Sequence, residues 1–144
     1  MSLEVYVKDI VRRTVDEVFN AIIDKDKISK YFVSEASANL IEGTKVKWEW
    51  KDFCAECIVT VVSVEKNKRI VFGWKGNQVA TEVEMEFSSK EEDITEVNII
   101  EKNYENNEEG IKKVMQQTQG WTDFLCSLKA YLYTGVNLRN GKMN

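Results

Sequence analysis

The segment EEGIKKVMQQTQGWTDFLCSLKAYLYTG, residues 108–135, decides how the rest of the chain is read. Its apolar residues Ile111, Val114, Met115, Trp121, Phe124, Leu125, Leu128, Tyr131 and Leu132 recur three or four apart, which lays them in one stripe along an α-helix. Gly135 supplies a left-handed stop after the last turn. A helix with one apolar face needs a surface to lie on. The residues before it provide one.

Residues 94–104 read as a strand with Val97 and Ile99 inward, and Val79, Thr81, Val83, Met85 and Phe87 alternate against Glu82, Glu84 and Glu86 just upstream. Gly76-Asn77 is a hairpin signal that joins the latter to Arg69-Ile70-Val71-Phe72-Gly73-Trp74. Lys66-Asn67-Lys68 turns back to a strand over 54–65, and Gly43-Thr44 opens a further one in which Val46, Trp48 and Trp50 face in. Strand structure begins near Ala36. Before it, Thr14-Val15-Asp16-Glu17 is a capping box, with a helix behind it that buries Val18, Phe19 and Ile22. Residues 25–32 read as a second short helix and residues 5–11 as a first strand. Strands joined by hairpins are antiparallel. The expected fold is therefore α+β: one domain over residues 1–144, with a curved antiparallel sheet of about six to seven strands, two short helices after the first strand, and the long helix as its cover.

Composition narrows the function classes. Hydrophobic content of 43% and charged content of 31% suit a soluble globular chain, and no apolar run approaches the roughly 20 residues of a membrane span. The opening Met1-Ser2-Leu3-Glu4-Val5 reaches charge at once, unlike a secretory leader, so a cytoplasmic location is expected. Net charge is −4, and residues 82–109 hold eleven acids against Lys90 and Lys102, a balance of −9 that leaves +5 elsewhere. That distribution argues against nucleic acid, which attracts a basic stripe. The acids are read either as solvated strand faces or as a patch for a basic partner protein.

Three cysteines and no histidine limit the chemistry. Cys54-Ala55-Glu56-Cys57 has C-x-x-C spacing, but a strand would point the two thiols to opposite faces, and a structural zinc needs four ligands where only Cys126 remains. These read as reduced thiols, with no metal and no cofactor expected. Without histidine there is no ordinary base near neutral pH, and no serine or cysteine sits in an activating motif. No catalytic residue is assigned.

Four places in the sequence together resemble a known family. Val11-Arg12-Arg13-Thr14-Val15-Asp16-Glu17-Val18-Phe19-Asn20-Ala21 is similar to its first strand turning into its first helix. Ile28-Ser29-Lys30-Tyr31-Phe32 is similar to its short second helix with an aromatic pair. Arg69 to Trp74 resembles its strand ending in tryptophan, and Gly120-Trp121-Thr122-Asp123-Phe124-Leu125 its glycine-tryptophan signature in the last helix. The chain thus resembles the activator-of-heat-shock-protein-ATPase-homologue (AHSA1-like) family of the START/Bet v 1-like (SRPBCC) superfamily, whose fold is the helix grip. It departs from that pattern in lacking proline before the first helix and in the hairpin before the tryptophan strand.

The resemblance implies a cavity between sheet and last helix for an apolar or amphipathic small molecule. Trp48, Trp50, Phe72, Trp74, Thr81, Met85, Phe87, Trp121, Phe124, Leu125 and Leu128 fall on inward phases and are the expected lining. The alternative is that the same side chains fill a solid core. Thr81, Glu56, Thr95 and Glu101 share inward phases and are the candidate polar anchors, with Tyr31, Tyr104 and Tyr131 as phenols near the mouth; the alternative for Glu56 and Glu101 is a place at strand ends where solvent reaches them. Three functions follow: a ligand-binding module, a protein-interaction module of co-chaperone type using the acidic face, and a weak cyclase or aromatase-type enzyme with a glutamate base and a tyrosine acid.

Overall fold

The computed structural model describes residues 2–140. Its strands are β1 (Ser2–Val11), β2 (Glu35–Ala36), β3 (Lys45–Trp50), β4 (Ala55–Glu65), β5 (Arg69–Trp74), β6 (Thr81–Glu91) and β7 (Ile94–Glu105). Helices α1 (Val15–Ile23) and α2 (Lys25–Ile28) follow β1, and α3 (Glu108–Thr134) follows β7. All strands pair antiparallel in one sheet of order β1-β7-β6-β5-β4-β3-β2. Successive hairpins carry β2 to β7 across the sheet one neighbour at a time. The link α1–α2 must then run from the β1 edge to the β2 edge, so it closes the open side of the sheet beside α3. This is the expected α+β helix-grip architecture.

Local chemistry sets the element ends. Thr14 Oγ1 accepts from the Glu17 amide at 3.2 Å and starts α1. Asn107 Oδ1 accepts from the Gly110 amide at 2.8 Å and starts α3, while Gly135 at φ +75° ends it with its N–H on the Tyr131 carbonyl. Gly110 is required by packing, because a Cβ there would overlap the Glu105 carbonyl. The core forms between the sheet's inner face and α3, whose Trp121, Phe124, Leu125 and Leu128 are all buried. Each such side chain contributes about 1.5–3 kcal/mol by leaving water.

Three sequence readings are corrected. The second helix ends at Ile28 rather than Phe32; turns follow, in which Tyr31 is buried with its hydroxyl on the Ala21 carbonyl at 2.9 Å. Ile111 and Met115 do not join the buried stripe of α3 and are exposed. On a helix of 3.6 residues per turn they lie well round from the line through Val114, Trp121, Leu125 and Leu128. The phase of β4 is the third: Glu56 lies exposed near the strand's start, the solvent-reached alternative, Ile58, Thr60 and Val62 on its phase are exposed too, and the inward residues are Cys57, Val59 and Val61. The run from Cys57 to Val62 is apolar on both phases, so alternation cannot choose between them. Pairing chooses: Trp48 lies opposite Cys57 and Glu49 opposite Glu56, and directly paired residues share a face.

Candidate functional site

Glu101 on β7 is fully buried and accepts five hydrogen bonds. Its Oε2 takes Trp74 Nε1 at 3.0 Å, Thr81 Oγ1 at 2.6 Å and the Tyr104 hydroxyl at 3.0 Å. Its Oε1 takes Gln117 Nε2 at 3.0 Å and Trp121 Nε1 at 2.9 Å. The donors arrive from β5, β6, β7 itself and α3, so one side chain ties the sheet to its cover. Among the described residues no lysine or arginine pairs with it. Neutral donors occupy the lone pairs that a buried carboxyl must otherwise leave empty at high cost.

Tyr104 joins this cluster because of a bulge. Residues three apart on a regular strand face opposite ways. Asn103, at φ +86°, inserts extra chain between Glu101 and Tyr104, and the β1–β7 register shifts at the same place. Asparagine tolerates this left-handed conformation better than most residues. Both side chains then meet inside. Burial, and next the neighbouring Glu101 charge, push the Tyr104 phenol well above its ordinary value, which keeps it a donor.

The predicted aromatic lining is brought together. Trp48 packs on Phe72 at 5.5 Å between centroids and on Trp74 at 6.0 Å; Trp74 meets Trp121 at 5.5 Å, and Trp121 meets Phe124 at 5.3 Å. Leu125, Leu128 and Met85 are buried in the same core, and Phe87 packs at another point, against Phe19 of α1 at 5.3 Å. Free volume lies at the rim of this cluster. A recess of about 280 Å³ is walled by Phe32, Trp50, Phe53, Cys57 and Trp74, with Lys75, Gly76, Gln117 and Arg139 at its border. Trp74 and Gln117 therefore show one part to the recess and donate from another to Glu101.

A second opening, of about 520 Å³, shares Glu56, Cys57, Trp74 and Lys75 and adds Ile58, Thr60, Gly73, Ala80 and Thr81. It lies where the sheet parts. Pairing of β4 with β5 stops at Thr60 opposite Gly73, and the rest of β4 pairs only with β3. Gly76 lets the following turn fold onto Trp74, since a Cβ there would sit 2.5 Å from the indole. Arg139 is drawn to the same mouth by an ion pair with Asp52 at 3.1 Å and by its place over the Phe53 ring at 5.2 Å.

The four candidate polar anchors separate. Glu101 and Thr81 are in the central cluster. Thr95 is buried elsewhere, its hydroxyl donating to the Arg13 carbonyl at 2.9 Å. Glu56 stands at the outer rim with Lys47 at 3.8 Å. Of the phenols, Tyr31 and Tyr131 stack on each other at 5.4 Å away from Glu101. Gln117 and Phe32 were missed as site residues. The signal for Gln117 was its place one helical turn before Trp121 on the same face.

Cys57 is half-buried and burial raises its thiol, while Cys54 is exposed at the left-handed end of a 3₁₀ turn (Lys51–Phe53), so neither resembles an activated nucleophile. Among the described residues no three His, Cys, Asp or Glu side chains are arranged to hold a metal ion, and no helix is long and apolar enough to cross a membrane. Of the acids of 82–109, Glu101 points into the core, while Glu82, Glu84, Glu86 and Glu96 lie on the outer face of β6 and β7, where Glu84 pairs with Arg69 at 3.0 Å and Glu96 with Lys90 at 3.9 Å.

Several solved structures share this architecture. Protein SSP2350 from Staphylococcus saprophyticus is similar at 27% identity and TM-score 0.83, over 95% of this chain and 96% of that one. DynU16, described as a putative protein in the dynemicin biosynthetic locus, is similar at 26% identity and TM-score 0.82 over 92% of this chain, which spans only 48% of DynU16. CalU16 from Micromonospora echinospora shares the fold at 19% identity and TM-score 0.75, over 98% of this chain and 81% of that one. No curated protein matches the sequence. The family model for activator of Hsp90 ATPase homolog 1-like proteins matches residues 12–133, which include β3 to β7, Glu101 with all its donors, and α3 almost to its end. The chain belongs to the activator of Hsp90 ATPase homolog 1-like family.

Proposed function

We propose that the protein binds one small, mostly apolar molecule with a flat ring system, seated between Phe32, Trp50 and Trp74 at the mouth under α3. The observation that carries this reading is the recess of about 280 Å³, whose aromatic wall is interrupted by the Gln117 amide and flanked by Lys75 and Arg139. Ligand sites combine such apolar walls with a few placed polar groups. The volume is just below the ~300–1,000 Å³ usual for ligand pockets, which favours a compact ring over a lipid chain. Glu101 holds the Trp74 indole and the Gln117 amide in place beneath the ligand, so the site is organised before binding. The location of DynU16 in a biosynthetic locus is in keeping with a role in handling a small organic compound.

A cyclase-type reaction has weaker support. Glu101 has its lone pairs taken by five donors, and Glu56 lies in solvent at the rim. The deciding experiment is extraction of the protein from its native host followed by mass spectrometry, with tryptophan fluorescence titrations against 1-anilinonaphthalene-8-sulfonate. A co-purified ring compound and saturable quenching that is lost in Trp50→Ala support the reading. No extracted compound together with quenching unchanged in Trp50→Ala overturns it.

A further inference from the structure

β1 is an edge strand: β7 pairs it on one side, and no strand of the described residues pairs it on the other. An open edge of ten residues is a template for another strand. Two bonds off the ladder show which residues face the open side. Ile10 N–H donates to its own Asp9 Oδ1 at 2.8 Å, and Arg12 N–H donates to the Tyr133 hydroxyl at 2.7 Å. Amides alternate in direction along a strand, so Tyr6, Lys8 and Ile10 turn their N–H and C=O groups away from β7. Their side chains, with that of Glu4, are exposed on the outer face of the sheet.

We propose that a second copy of this chain adds to this edge, β1 against β1, about a two-fold axis at Tyr6. Antiparallel pairing there places Tyr6 opposite its own copy, in the hydrogen-bonded type of pair that its outward N–H and C=O require. Glu4 then lies opposite Lys8, and Lys8 opposite Glu4. An axis at Glu4 or Lys8 would instead set like charges face to face, and an axis at Val5 or Val7 would leave both charges unmatched. Neither Glu4 nor Lys8 has an ion-pair partner in its own chain among the described residues. The match is isologous, the form that closes a dimer.

A separate observation extends the surface. Ile111 and Met115 are apolar, 48% and 67% exposed, and outside the buried core cluster. Ile111 stands eighteen residues before Lys129, and Met115 eighteen before Tyr133, about five full turns in each case. They share the flank of α3 on which Lys129 meets Asp9 at 2.6 Å and Tyr133 meets Arg12. That flank faces the β1 side of the molecule, and Thr118, Thr122 and Cys126 along it are exposed and small. A strand pair alone falls short of the ~1,200–2,000 Å² that stable interfaces bury, and the helix flank extends it. The second copy covers Tyr6 and Ile10 on one face of the joined sheet and the Ile111–Met115 flank on the other.

Sedimentation velocity across the micromolar range tests this with charge reversals at exposed positions, circular dichroism confirming that each variant is folded. The wild type is expected to dimerise, and Glu4→Lys or Lys8→Glu to weaken the dimer about ten- to hundredfold. The double reversal Glu4→Lys with Lys8→Glu restores opposite charges across the axis and recovers the dimer. A wild type that stays monomeric, with Lys8 acting only as a guard of the edge, overturns the proposal. A dimer that is indifferent to both single reversals, or a double reversal that does not recover, overturns it equally.

Discussion

Glu101 and Trp121 meet across the interface between sheet and long helix, with the indole nitrogen 2.9 Å from Oε1. The bond fixes which way the tryptophan ring lies and therefore which rings it can touch. Trp74, held by the other carboxylate oxygen, stacks obliquely against it at 5.5 Å. One acidic side chain thus orients two of the four tryptophans.

Replacing Glu101 is expected to be costly in proportion to the acceptors lost. Glu101→Ala leaves five donors, four of them buried, without this acceptor and should destabilise by about 4 kcal/mol or more. Glu101→Gln keeps the shape but turns an N–H toward at least one indole N–H, at a cost of about 2–3 kcal/mol. Urea denaturation of both variants checks the order. Equal, small effects would show that the cluster does not hold the helix down.

Single donors should matter unequally. Oε1 has two partners and Oε2 three. Tyr104→Phe removes one of the three and should cost only about 0.5–1.5 kcal/mol. Trp121→Phe halves the supply to Oε1 and also leaves a cavity, for about 2–4 kcal/mol. The comparison is a pair of equilibrium unfolding curves at neutral pH.

Alkaline stability is set partly by two phenols. Burial raises Tyr31 and Tyr104 above their ordinary value near 10, helped by Tyr131 and Glu101 respectively. In the folded protein both stay protonated where the unfolded chain ionises. Their contribution is fully present below the unfolded value and is lost as pH rises through the folded one. Stability should therefore be flat through neutral pH on their account and fall above about pH 10, with a shallower fall in Tyr104→Phe. Chemical denaturation at stepped alkaline pH measures the slope, and parallel curves for the two proteins would contradict the assignment.

Gly76→Ala probes the wall of the recess from behind. The new methyl would press on the Trp74 indole at 2.5 Å, so the ring or the turn must shift. The expected cost is about 1–3 kcal/mol, with a displaced tryptophan emission maximum. An unchanged spectrum would mean that the turn moves and the ring does not.

Trp50→Ala separates binding from stability. Trp50 is half-buried at the mouth and touches Phe32 at 5.5 Å. Its loss should weaken ligand binding at least about tenfold while costing under about 2 kcal/mol of stability. Titration of the same preparation used for unfolding distinguishes the two effects.

The fold was legible because its signals are local. The Thr14 cap, the Gly76-Asn77 turn, the alternation over β3 and β6 and the stripe from Trp121 to Leu128 depend on neighbours along the chain, and each appears in the structure. Phase set Thr81 and Glu101 in line with inward residues, but near a strand end it left Glu101 open between burial and solvent, and only the donors converging on it decide for burial. Glu56 could not be placed, because β4 carries apolar residues on both phases and its facing is set by Trp48 across the ladder. Tyr104 joined Glu101 only through a left-handed Asn103, which no periodicity announces.

The sequence by itself determined the order of strands and helices and which side of most of them avoids water, since propensity, capping and hydrophobic period act over a few residues. Only the tertiary structure decided that five donors from four elements converge on one carboxyl, that Ile111 and Met115 stay outside, and that open volume lies at the rim of the tryptophan cluster. Those outcomes depend on strand register, one bulge and the angle at which α3 crosses the sheet. Each is settled by contacts between residues far apart along the chain.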